Sequence, residues 1–143
     1  MKRLCTAMSL LGLLTCLPSF AQTACPKASE IHADMLIGAW EVELHTQPPQ
    51  RWPLTLQAHQ EHTGSLQGRL LQGARTAQVV ADWDEGEFTM EESHDGQRIA
   101  ATWLGTTTEG QCGRQIAGTR QQGDATATTR FTMRAGTSLP ERR

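Results

Sequence analysis

Two imidazoles three residues apart with a carboxylate between them, His59, Glu61 and His62 in "HQEHTGS", are the first residues of this chain whose types could hold a metal. A zinc-hydrolase helix sets its histidines four apart on one face. These are three apart in a stretch that reads as a hairpin turn, so a solvated loop is expected, with no metal and no cofactor. No Gly-x-Ser-x-Gly elbow offers a serine nucleophile. The other combination with chemistry in it is tryptophan beside arginine: Arg51 and Trp52 close "HTQPPQRW", and His45, His94 and Arg120 lie in or near segments that the strand pattern brings to the same end. Arg120 shares the inward parity of Ile116 and Gly118. A buried cation needs a counter-charge or hydrogen bonds, so an inward arginine beside an aromatic could hold a small amphipathic or anionic ligand. The alternative keeps Arg120 at the rim with its head in water. The expectation is binding rather than catalysis.

The chain ends say where such a site would work. Lys2 and Arg3 precede an apolar run from Leu4 to Leu17, followed by Pro18 and small residues at Ser19 and Ala21. That pattern predicts a secretory signal peptide over 1–21, and hence a periplasmic or extracellular protein; no stretch has the length of a membrane-spanning helix. Removing Lys2 and Arg3 from the 13 basic residues leaves 11 against 15 acidic ones, a net charge of −4. A mildly acidic chain without basic clusters argues against nucleic acid as a partner. Of four cysteines, Cys25 and Cys112 remain after cleavage, and in an oxidising compartment they are expected to pair. Neither would then be free as a nucleophile.

The elements that must position these residues are strands. Glycine-bearing turns recur through "HTGS", "LQGA", "DEGE", "HDGQ", "TEGQ" and "QQGD", a rhythm that favours an antiparallel meander. Asp95-Gly96 has the residue types of a two-residue hairpin turn. Strands are predicted over 38–46, 52–58, 65–72, 76–83, 86–92, 97–104, 114–121 and 126–134. They follow a segment, 22–37, that reads as a short helix or turn packed on one end. The tail 135–143 is expected to be disordered. Period-two alternation points all four tryptophans inward, with Leu54, Leu56, Leu66, Leu70, Val79, Phe88, Met90, Ile99, Ile116, Phe131 and Met133. The acidic run "EGEFTMEE" reads as an outward face, and Val80 and Leu104 as outward apolar exceptions. Inward small residues, among them Gly68, Ala81, Ala101 and Gly118, would leave some room inside.

Eight hairpin-linked strands with one apolar face predict an all-β fold, an eight-stranded antiparallel up-and-down β-barrel over 38–134. In such a meander odd strands start, and even strands finish, at one end. That end, the floor, is expected to collect Gly38, Trp40, Trp83, Trp103 and Arg134 with the Cys25 to Cys112 bridge. The other end, the mouth, would carry His45, Arg51, Trp52, His94 and Arg120.

A Gly-x-Trp leading into the first strand (Gly38, Trp40) and an arginine on the last strand at the same end (Arg134) resemble the calycin group, which includes lipocalins and avidins. The resemblance implies that Trp40 closes the barrel floor, that Arg134 packs across it, and that a small apolar or amphipathic ligand binds at the mouth. "RIAATWLGTTTEG" is also loosely similar to an avidin hairpin, although the chain has no tyrosine and no matching set of biotin-binding polar residues. The Leu-x-Gly-x-Trp start of secreted bacterial metalloprotease inhibitors, also small barrels with one disulfide, is similar to "LIGAW". That second resemblance implies an inhibitor or immunity-type factor whose partner is a secreted hydrolase.

Overall fold

Alternating apolar and polar residues between glycine turns build the strands, and their pairing closes a barrel. In a computed structural model, which describes residues 24–136, two short 3-10 turns (Ala28–Glu30 and Ala33–Leu36) precede eight strands. These are β1 (Gly38–Leu44), β2 (Gln50–Ala58), β3 (Leu66–Gln72), β4 (Arg75–Asp84), β5 (Glu87–Ser93), β6 (Ala101–Thr107), β7 (Gln115–Gln122) and β8 (Thr128–Ala135). Each strand pairs antiparallel with the next, and β8 returns to β1, with Trp40 opposite Ala135 and Leu44 opposite Phe131. Closure removes every free sheet edge. The expected leader, 1–21, and most of the expected tail lie outside the described residues; Ala135 itself completes β8.

The inward face forms one continuous core that runs from Leu36 and Trp40 at the floor through Val42, Leu56 and Met133 to Leu44, Leu70 and Phe131 near the mouth. Each such side chain contributes about 1.5 to 3 kcal/mol through burial. The small inward glycines do not leave the room expected of them. A Cβ on Gly68 would collide with the carbonyl oxygen of Thr55, and one on Gly118 with that of Leu104. Neighbouring backbone therefore takes up the space at these two positions.

One predicted strand is displaced. Asp95-Gly96 does not make a two-residue turn, because the Asp95 carboxylate accepts the N–H groups of Gln97 and Arg98, both at 2.8 Å, and Ser93 Oγ accepts that of Gly96 at 2.9 Å. These bonds fold residues 94–100 into a broad loop, shut by Ala100 N–H donating to the Glu92 carbonyl. β6 therefore begins at Ala101 rather than 97. Ile99, expected inside, is 53% exposed, and Trp103 stands near the start of its strand instead of its end. Val80 and Leu104 do face outward.

Among the described residues no helix is long and apolar enough to cross a membrane. The outer wall carries Glu41, Arg51, Arg69, Gln78 and Glu91, all exposed, which is unlike the apolar outer band of a membrane barrel.

Candidate functional site

The mouth is the end where β1, β3, β5 and β7 finish, ringed by the loops 45–49, 73–74, 94–100 and 123–127. The inward positions nearest this ring alternate with core residues on their own strands: Gln72 two past Leu70 on β3, Glu92 two past Met90 on β5, Arg120 on β7, Trp103 on β6 and Trp52 on β2. Cross-strand register brings them together. Trp103 stands opposite Arg120 on one side and Met90 on the other.

At the centre is Glu92, 0% exposed. Its carboxylate accepts four hydrogen bonds: from Arg120 Nη2 at 2.7 Å and Nε at 3.0 Å, from Gln72 Nε2 at 3.0 Å, and from Trp103 Nε1 at 2.9 Å. Burial by itself would push the pKa of this carboxyl up, because the charged form is disfavoured away from water. The bonds from Arg120, Gln72 and Trp103, with the charge of Arg120, outweigh burial and hold it below the usual glutamate range. Glu92 is thus an anion in the folded protein, paired side-on with an arginine that is itself only 9% exposed.

The guanidinium is also clamped by aromatic faces. Its central carbon lies 5.3 Å from the ring centre of Trp103 and 5.7 Å from that of Trp52, within the range of cation–π attraction. Trp103 in turn meets Phe131 edge-on at 5.0 Å. Trp52 is only partly buried and packs against the core from the rim. Every buried side-chain nitrogen and oxygen among the described residues has a partner.

Of the five mouth residues expected from the sequence, the structure brings three to this cluster. Trp52 and Arg120 are members, and His94 Nε2 lies 3.8 Å from Glu92 Oε1 with its side chain 32% exposed. The other two turn to the outside. Arg51, within β2, donates to Glu43 at 2.8 Å on the outer wall, and this bond holds the Glu43 carboxyl below its ordinary range. His45 is hydrogen-bonded through Nε2 to Thr132 Oγ1 at 3.0 Å; Thr132 sits at an outward register position, opposite Glu43. Arg120 keeps most of its head inside the barrel, locked to Glu92 through Nε and Nη2.

Glu92 and Gln72 were missed. Both carry the inward parity of their strands, and that was the available signal; Glu92 was masked by the acidic run around it. Trp103, expected at the floor, belongs to the mouth cluster because β6 starts later than predicted.

At the floor, Cys25 and Cys112 form a disulfide that ties the N-terminal segment to the β6–β7 loop. Trp40 Nε1 donates to the Leu36 carbonyl at 2.9 Å, so indole and segment close the end together, and Gly38 opens the strand at φ +136, a conformation few other residues adopt. Trp83 is half-buried beside a cleft of about 560 Å3 lined also by Ile31, His32, Asp84 and Glu85. Arg134 does not pack across Trp40. It lies opposite Glu41 on the outer face and donates to Gln115 Oε1 at 3.1 Å. His59 and His62 form a loop staple, in which His59 Nδ1 accepts the N–H groups of Glu61 and His62 at 3.1 and 3.2 Å. No group of three or more metal-ligating side chains occurs among the described residues.

No family model matches the chain, and no curated protein is significantly similar to it. The closed barrel is common to both resemblances drawn from the sequence and does not choose between them.

Proposed function

We propose that this is a binding protein of the periplasm or the extracellular space that works at the mouth of its barrel, taking a small amphipathic ligand on the rim beside Trp52 and Arg120. The observation that carries this reading is the buried Glu92–Arg120 pair between two indoles. An ion pair in a core adds little stability that packed apolar side chains could not supply. Its presence under a half-buried tryptophan is better accounted for by recognition. Buried apolar side chains line the barrel below this pair, so the reading places the ligand on the rim. Titrating the mature chain with an apolar fluorescent probe tests this. Tryptophan quenching that Trp52→Ala abolishes is expected; absence of quenching and of probe uptake would contradict it.

A second reading is favoured by the outer wall, where Leu71, Val80 and Leu104 are exposed. In that reading the protein is an inhibitor or immunity-type factor that grips a secreted hydrolase through its surface. Co-purification with secreted metalloproteases is its most direct test, and failure across that class would remove its best-defined form.

A further inference from the structure

We infer that the mouth reads a carboxylate carried on a planar apolar group, with Arg120 Nη1 as the donor and the face of Trp52 as the stacking wall. The inference rests on the mouth being the binding site and goes further by naming the chemistry.

Arginine carries five N–H donors in a fixed plane. Its contacts with Glu92 use Nε and Nη2. Nη1 takes part in no hydrogen bond among the described residues, and no buried side-chain nitrogen there is without a partner. Nη1 therefore reaches solvent, although Arg120 as a whole is nine-tenths buried. What the mouth presents to water is the end of a guanidinium whose other edge is locked.

The locking is what makes this a site. A flexible surface arginine loses side-chain freedom when it binds. Arg120 has already lost it to Glu92 behind, Trp103 on one side and Trp52 on the other. A carboxylate accepts charge-assisted hydrogen bonds from guanidinium N–H groups, and Nη1 has such N–H groups to offer. Glu92 offsets the arginine charge, so the anion adds hydrogen bonds at an oriented donor more than long-range attraction. The apolar part of the ligand must supply the remaining affinity, and the half-buried Trp52 ring is the surface available for it.

Such a group could be a free aromatic acid or the C-terminus of a chain that ends in an aromatic residue; the shared chemistry is the same. The test follows the indole and Arg120 Nε–H signals of the whole mature protein by NMR during titration with phenylacetate, its neutral amide, and a short peptide ending in phenylalanine with free or amidated C-terminus. The expected result is a saturable shift at Trp52 and Arg120 with the two acids, with each amide binding at least about tenfold more weakly, the size of one charge-assisted hydrogen bond. A peptide acid much tighter than phenylacetate would assign the source to a chain terminus; equal affinity would assign it to free acids. The Trp52→Leu variant, which leaves the buried pair intact, should lose the response at Arg120. The double variant Glu92→Leu with Arg120→Met should lose the preference for acid over amide.

Equal binding of acid and amide at Trp52 would overturn the carboxylate assignment while leaving the mouth as the site. No shift of any mouth signal at millimolar concentration of any probe would overturn both.

Discussion

The two ends of the barrel are both closed by tryptophan, and they are closed differently. At the floor, Trp40 spends its one polar atom on a backbone carbonyl of the segment that caps the end, and the Cys25–Cys112 bridge holds that segment in place. Everything there adds to closure. At the mouth, two tryptophans flank a guanidinium, and a fully buried carboxylate with four donors lies beneath. Closure could be achieved more simply with leucines. The contrast separates side chains that stabilise the fold from those that position a charge, and residue type alone does not reveal it.

The sharpest break in that comparison comes from the floor. Trp40→Ala is expected to cost about 3 to 5 kcal/mol, because it opens a cavity the barrel cannot collapse into; urea unfolding measures it. A cost near zero would remove the floor assignment. Acid should act at the other end. Glu92 is held below the usual glutamate range in the folded chain and returns to it on unfolding. Its contribution is therefore fully present above that range and is lost as pH falls through the lower folded value. Unfolding curves between neutral pH and about pH 3, around the reference carboxylate range, should show a loss of stability in the natural protein that is smaller in the Glu92→Leu, Arg120→Met double variant. Identical acid profiles would mean that Glu92 is not ionised in its site. The smallest stability effect of a single substitution belongs to Trp52→Ala, about 1 to 2 kcal/mol for a side chain that is only partly withdrawn from water, with a larger effect on ligand binding than on folding. Equal destabilisation at Trp40 and Trp52 would erase the distinction between the ends.

The barrel was legible in the sequence because its two signals are local. Alternation such as that of Trp40, Val42 and Leu44 assigns a face without knowledge of the partner strand, and turns set the strand order when all connections are hairpins. The parity argument brought Cys25 and Cys112 to one end, and they are bonded there. The site was less legible, for two physical reasons. Asp95-Gly96 has the residue types of a tight turn, yet the Asp95 carboxylate is drawn to backbone N–H groups further along. The resulting loop moves the start of β6 and carries Trp103 from one end to the other. Glu92 sits in a run of acids where charge suggests water on every side, while its parity points inward. Burial of such a group is decided by a partner 28 residues away, Arg120, and no local pattern contains that pairing. Arg134 illustrates the converse: a motif position matched the floor end, but one register step turns its side chain outward.

The claim that the mouth is built for recognition rather than for stability rests on the buried pair, and one double-mutant cycle tests it directly. Urea unfolding at neutral pH would compare the natural protein, Glu92→Leu, Arg120→Met and the two substitutions together. Each single variant leaves one buried charge without its partner and should lose about 3 to 5 kcal/mol, whereas the double variant should fall within about 1 kcal/mol of the natural protein or exceed it. A double variant as unstable as the singles would mean that the pair holds the barrel together, and that the mouth, like the floor, serves closure.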